Sequence, residues 1–370
     1  VSAKAPSDTH PGLDVCDRRG DADGRRAHEL DAYDFSVPAE LVAQEPAPER
    51  DLARLLVLDR VHNATLAHRR VRDLPQWLRP GDLLIVNETR VLRARLRGRK
   101  TTGGAAEVLL LGPAHEPGCF RALLRCRGRQ RVGQRFAFGP SREEIPAELV
   151  SLGLEGEVVL EFPRGISPFE IGEAPLPPYI RRNAPRATDL ERYQSVFARV
   201  PGSVAAPTAS LHLSKELLSE LVAAGVERAE VVLHVGPGTF RPLRPADFAA
   251  GSLHAERFEL PEATARAVAR TRARGGRIVA VGTTTTRVLE SCATADRQVS
   301  ARAGETQIFL RPGHKFAVVD ALLTNFHLPR SSPLLLVSAF AGREAVLSAY
   351  TAAIAIRYRF YSYGDAMLIL

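Results

Sequence analysis

The sequence predicts an α/β fold: a larger mixed-sheet α/β domain with a small β-barrel-like domain inserted into it. Three observations carry that prediction. Short apolar runs bounded by turn residues, at 55–58 and 82–86, read as buried strands. Between residues 91 and 170, strand-length pieces alternate with Gly and Pro punctuation. Beyond Pro175 strand, turn and helix alternate, the texture of a sheet covered by helices.

Composition narrows the class. With 370 residues, 45% hydrophobic and 25% charged, the chain is neither a disulfide mini-protein nor a collagen-like fibre, and it is apolar enough to collapse. No apolar run approaches the roughly 20 residues of a bilayer-spanning helix, and no signal segment opens the chain. A soluble, cytoplasmic protein without a membrane partner is expected. Cys16, Cys119, Cys126 and Cys292 form no C-x-x-C pair, so neither a zinc knuckle nor a disulfide framework is indicated. The formal charge of +8 invites a polyanionic partner. Because the cations are 46 arginines against 4 lysines, their placement says more than their number.

In chain order, residues 1–31 mix Asp and Arg with small polar residues and are expected to form a disordered leader. Order begins near Tyr33, ahead of a helix start at Pro38, where a first-turn proline loses no hydrogen bond. Arg93, Arg95, Arg97 and Arg99 alternate with Leu92, Ala94, Leu96 and Gly98, and Arg125, Arg127, Arg129 and Arg131 repeat the period of two. That period puts each set on one face of a strand. The region from 90 to 135 holds twelve Lys or Arg against two Glu. It reads either as a solvated face in an arginine-rich chain or as a surface that tracks phosphates. The α/β domain is then assigned residues 32–90 and 171–370, and the barrel-like insert residues 91–170. Helices are expected at 214–224 with Ser214 as N-cap, and at 261–274, 286–292 and 343–357.

Three loops concentrate polar and small residues: 204–212, 234–240 and 282–287. The last two follow strands, where free amides and hydroxyls suit a phosphate, carboxylate or ribose. Neither is a dinucleotide or P-loop fingerprint. His212, His234, His254 and His327 lie in or beside such loops, each singly compatible with a structural role. His254-Ala255-Glu256 matches half of a zinc-deaminase signature, but the P-C-x-x-C half never appears, and no H-E-x-x-H occurs, so no catalytic metal is expected. At 358–365 four aromatics precede Gly364 and Asp365, a pattern that fits either a core strand with a turn or a stacking surface.

Taken together these segments resemble the S-adenosylmethionine:tRNA ribosyltransferase-isomerases of queuosine biosynthesis. The resemblance runs from Tyr33-Asp34-Phe35 through Gly81-Asp82-Leu83-Leu84, Leu176-Pro177-Pro178-Tyr179-Ile180, Tyr193-Gln194-Ser195-Val196-Phe197-Ala198 and the three loops to Met367-Leu368-Ile369. It implies transfer and isomerisation of the ribosyl part of S-adenosylmethionine onto 7-aminomethyl-7-deazaguanine at the wobble position of a tRNA anticodon arm. Epoxyqueuosine is the product, and adenine and methionine are released. S-adenosylmethionine is a co-substrate, no metal is needed, and a monomer is expected. On this basis His212, His234, His327 and Asp365 are the catalytic candidates. The sulfonium donor would be held by Asn87, Thr89, Arg90, Thr208, Gly236, Gly238, Thr239, Phe240, Thr283, Thr284 and Arg287. Arg93, Arg95, Arg97, Arg99, Arg125, Arg127 and Arg129 would grip the RNA. The chain departs from the family pattern at Glu88 (usually Asp), Ser210 (usually Gly), Leu213 (usually Phe) and His314 (usually Tyr). The changes at 210 and 213 motivate a second reading, a relative acting on a free deazapurine or another small acceptor.

Overall fold

The structure, a computed structural model, describes residues 29–140, 143–240 and 242–370, with Glu155, Thr239 and Phe240 described in backbone only. The expected leader lies outside the described residues up to position 28. Order starts earlier than Tyr33: residues 29–31 take helical backbone, and Leu30 is buried at 3% exposure in the main core.

The described residues hold seventeen strands: β1 (Arg54–Asp59), β2 (Ala64–Arg70), β3 (Leu83–Asn87), β4 (Thr89–Val91), β5 (Arg95–Lys100), β6 (Ala105–Pro113), β7 (Cys119–Cys126), β8 (Arg135–Phe138), β9 (Ile145–Leu152), β10 (Glu157–Glu161), β11 (Val200–Ser203), β12 (Glu227–Leu233), β13 (Glu256–Leu260), β14 (Ile278–Val281), β15 (Arg302–Thr306), β16 (Ala321–Asn325) and β17 (Ala366–Ile369). Nine form one mixed sheet in the order β15-β13-β12-β3-β14-β16-β17-β1-β2, and six close a barrel in the order β10-β7-β6-β5-β8-β9. The α/β class with an inserted barrel, expected from the sequence, is the architecture observed.

Alternation along β3 explains why both sheet faces are covered. Leu83 and Ile85 join one core with Val288, Leu335 and Val346, whereas Leu84 and Val86 join a second core with Leu217 and Leu221. The helix Lys215–Ala223 starts where Ser214 Oγ accepts the amide of Leu217 at 3.0 Å, the cap read from the sequence. The helices Ser332–Ala341 and Arg343–Ala355 meet at 113°, and no single helix among the described residues is long and apolar enough to cross a membrane.

The barrel is an alternating structure: Leu96, Val108, Leu110, Phe136, Phe138 and Leu149 point inward and are almost fully buried. Its closure depends on Gly98, where a Cβ would stand 2.1 Å from Ala137 O. β4 and β11, the segments before and after the insert, pair in parallel and tie the barrel to the larger unit.

Three local expectations are revised. The helix at Pro38 shrinks to a 3-10 turn, Ala39–Leu41, because Val42 turns extended and bridges Phe360. The second arginine stripe is not a strand face: β7 stops at Cys126, so Arg127 and Arg129 sit in the following turn. The 282–287 segment is no loop either, since the helix starts at Gly282 and runs to Ser291.

Candidate active site

β3, β12, β14 and β16 run parallel, so their carboxyl ends share one edge, at Asn87, Leu233, Val281 and Asn325. Crevices at such an edge are where open α/β sheets bind ligands. Here apolar strands give way to Asn, His, Thr and Gly, because backbone groups leaving the ladder need new partners. Asn87 supplies several. Its Nδ2 donates to Leu233 O at 3.0 Å and Thr284 Oγ1 at 3.3 Å, and its Oδ1 accepts from the amides of Thr89 and Leu233, both at 3.1 Å. Fully buried, Asn87 fastens three elements of the edge.

The cleft above this edge is a small, half-open hollow of about 40 Å³. Thr208, Thr283, Thr284, Thr324, Asn325 and His327 give it polar groups, and Tyr179, Phe326 and Tyr361 give it aromatic ones. Gly282, at φ +89°, turns the chain into the helix Gly282–Ser291. Thr285 and Thr286 fold their hydroxyls back on the Val281 and Gly282 carbonyls, at 2.7 and 3.2 Å, while Thr283 and Thr284 face the cleft. Val281 caps no first-turn amide, so this end of the helix presents N–H groups and hydroxyls together.

Of the three candidate histidines His212, His234 and His327, His327 alone lines the cleft. Its Nε2 lies 2.7 Å from Thr324 Oγ1, and its backbone amide donates to Tyr350 Oη at 2.9 Å. Burial pushes its pKa down to about 3, so the ring is neutral at pH 7. His212 does not line the cleft; it lies behind Asn325, whose Nδ2 is 3.0 Å from His212 Nε2 and also donates to Tyr361 O at 3.1 Å. Burial, reinforced by Arg359 and Arg50, brings His212 to about 3 as well. His234 stands at the end of β12, with Nδ1 2.9 Å from Thr89 Oγ1. Burial, with Arg257 nearby, lowers its pKa too. A Cβ at Gly202 would come within 2.6 Å of the His234 ring, so only glycine lets β11 pass the imidazole.

Behind the second loop, Glu256 accepts the Gly236 amide at 2.7 Å and pairs with Arg287 Nη1. Arg287 Nε and Nη2 are buried without a protein partner. Gly238 packs against His254, where a Cβ would approach to 3.0 Å. The Thr239 and Phe240 side chains fall outside the described residues.

Other candidates take different posts. Arg90 is exposed on β4. Asp365 is almost fully buried and occupied: its oxygens accept the amides of Arg54 at 2.9 Å and Arg359 at 2.8 Å. Arg93 and Arg95 are tethered to the carbonyls of Gly172, at 2.6 Å, and Leu176, at 2.7 Å. Arg97 faces Glu173 at 3.3 Å and Arg99 faces Glu144 at 2.9 Å, whereas Arg125, Arg127 and Arg129 are exposed. Glu88 forms a forked pair with Arg199, at 2.6 and 2.9 Å. Leu213 lies in the core under the sheet, and Ser210 is fully buried outside the cleft lining. Among the described residues, no three His, Cys, Asp or Glu side chains gather as a metal site would require.

Sequence reasoning passed over Asn325, Thr324, Tyr179, Phe326 and Tyr361 as site residues. The available signal was an Asn ending an apolar strand, the pattern that had singled out Asn87.

A half-enclosed cleft of mixed polar and apolar lining at the carboxyl edge of a mixed sheet, with a closed barrel inserted in the chain, defines an α/β enzyme of two-part construction. The chain matches the family described as "Queuosine biosynthesis protein" over residues 30–369, and it belongs to that family. It is 50% identical over 348 residues to the S-adenosylmethionine:tRNA ribosyltransferase-isomerase of Thermus thermophilus, covering 92% of this chain and 99% of that one. The protein of the same name from Trichlorobacter lovleyi is 48% identical over 343 residues, 91% of this chain and 98% of its own. A crystal structure of S-adenosylmethionine tRNA ribosyltransferase from Thermotoga maritima aligns with a TM-score of 0.53 at 37% identity, spanning 92% of this chain and 100% of that one. The family read from the motifs is thereby borne out.

Proposed function

We propose that the protein moves the ribosyl part of S-adenosylmethionine to the aminomethyl group of 7-aminomethyl-7-deazaguanine in the tRNA wobble position. Isomerisation of the ribose gives epoxyqueuosine, with loss of adenine and methionine. The observation that carries this reading is the strand-end cleft, where aromatic and hydroxyl groups meet an uncapped helix start in a chain of this family. Tyr179 and Tyr361 suit a purine face; Thr208, Thr283 and Thr284 suit ribose and carboxylate oxygens. The buried guanidinium of Arg287, with its Nε and Nη2 nitrogens unpaired, suits a carboxylate reached from the helix side.

A sulfonium acidifies the adjacent C5′–H, so the chemistry asks for an unprotonated base and, later, a proton donor near the departing adenine. His327 is the base candidate: it lines the cleft and its Nε2 is oriented by Thr324 Oγ1. His234 is the second acid–base candidate, oriented by Thr89. His212 and Asp365 act by positioning. Exposed Arg125, Arg127 and Arg129 would contact the backbone of the anticodon arm. A cytoplasmic monomer is the working form in this reading.

The free-base alternative loses its motive, because Leu213 and Ser210 are buried away from the cleft lining. The deciding test mixes the protein with S-adenosylmethionine and tRNA bearing the deazaguanine, then assays adenine and the modified nucleoside. Adenine and epoxyqueuosine in equal amounts are expected. No adenine release would overturn the proposal, and product on the free base without tRNA would favour the alternative.

A further inference from the structure

We infer that Asn325 is a specificity-determining residue, whose side-chain oxygen accepts a hydrogen bond from the exocyclic amine of the adenine in the donor substrate, and that His212 is the positioning residue holding that oxygen toward the cleft. The inference rests on the proposed use of S-adenosylmethionine and adds to it the group that reads the base.

The orientation of the Asn325 amide is set by its neighbours. Tyr361 O, 3.1 Å away, is a backbone carbonyl and can only accept, so the NH₂ end must face it. The same NH₂ then meets His212 Nε2 at 3.0 Å. That nitrogen must accept, which fixes the neutral tautomer with its proton on Nδ1. The depressed pKa of His212 agrees with a ring that stays neutral. Both hydrogens of the Asn325 amide are thereby used, one on His212 and one on the Tyr361 carbonyl. Its Oδ1 is buried without a partner, on a residue 1% exposed that lines the cleft.

A buried carbonyl oxygen without a donor is costly, and the deficit is removed when a ligand brings an N–H or O–H. Tyr361, whose carbonyl the amide meets, also lines the cleft, and Tyr179 stacks obliquely on it with ring centres 5.0 Å apart. Flat apolar walls beside a lone acceptor suit the amino edge of a purine. The threonine hydroxyls are better placed for ribose. Hypoxanthine, with an oxo group where adenine has its amine, would set one acceptor against another.

The test is calorimetry with two stable probes, S-adenosylhomocysteine and S-inosylhomocysteine, on the whole protein. The wild type should bind the adenosyl probe about 10- to 100-fold more tightly, as loss of one buried hydrogen bond implies. Asn325→Ala should lose most of that preference while still binding the inosyl probe. His212→Phe should do the same, and His212→Gln, which restores an acceptor for the amide, should recover it. Recovery by Gln is the result that a merely structural histidine would not give. Equal affinity of the wild type for both probes would overturn the inference and leave the proposed function standing, and so would a preference that survives in both Asn325→Ala and His212→Phe. Binding of neither probe would sink the proposed function itself.

Discussion

His234 Nδ1 lies 2.9 Å from Thr89 Oγ1, and the same hydroxyl lies 2.8 Å from Ser203 Oγ, which in turn accepts the Val235 amide at 2.8 Å. An unbroken polar chain thus leads from the backbone next to His234, across β11 and β4, back to the imidazole. The ring is held by a hydroxyl on one side and by the bare backbone of Gly202 on the other.

Thr89→Val keeps the shape and removes the hydroxyl. Turnover in the adenine-release assay is expected to fall about 10- to 100-fold, the usual scale for misorienting an acid–base group. The melting temperature should drop by only a few degrees, since one net hydrogen bond is about 1 kcal/mol. Gly202→Ala should be more damaging, because its methyl would overlap the ring. Full activity in Thr89→Val would mean that His234 is not oriented through this hydroxyl.

His212 and His327 predict an acid-labile fold. Each is held near pKa 3 in the folded state, mainly by burial, against an ordinary 6.5 when unfolded. At about pH 5 the unfolded chain therefore binds protons that the folded chain does not, and acid favours unfolding. Stability from these two groups is fully present above pH 6.5 and is lost as pH falls from there toward 3. Differential scanning calorimetry across that window should show a rising melting temperature that levels off above it. His327→Gln should flatten the slope, and an unchanged slope would refute the assignment.

Asp365 is expected to matter for stability first. It fixes the start of β1 and the turn before β17 through two backbone amides 305 positions apart in the chain. Asp365→Asn keeps one acceptor and turns an NH₂ group toward the other amide. A cost of about 2–4 kcal/mol follows from a buried donor left unpaired next to a lost charge-assisted bond. A urea titration reads it directly. Turnover per folded molecule should change less than tenfold, and a hundredfold loss without destabilisation would instead put Asp365 in the chemistry.

The division between what the sequence disclosed and what it concealed follows from the range of the interactions involved. Period-two burial, caps and turn residues act locally, so β3, the capped helix at Ser214 and the barrel were legible. Thr283 and His327 were legible because polar residues directly after apolar strands are poorly explained by packing. The posts of His212 and Asp365 were not: a histidine in a polar loop reads the same whether it faces the ligand or, as here, an asparagine 113 residues away. The 282–287 segment misled because four consecutive threonines are poor helix formers. Two of them are accommodated by back-bonding to the preceding turn, a feature that appears only once the helix exists.

The two arginine groups should separate in a salt titration of tRNA binding. Arg125, Arg127 and Arg129 are exposed, so replacing all three with Gln should leave the melting temperature nearly unchanged. In the proposed function it should also reduce the slope of log affinity against log salt by roughly 2, at about 0.7 per phosphate contact on single-stranded RNA. Arg95 behaves otherwise. It is tethered to Leu176 O at 2.7 Å and borders a second cleft beside the barrel, which also includes Arg182 and Asp189. Arg95→Ala should therefore lower stability by about 1–3 kcal/mol, through the stranded carbonyl and lost packing. If the triple variant binds tRNA with an unaltered salt slope, the exposed turn after β7 is a solvated surface and the RNA backbone lies elsewhere.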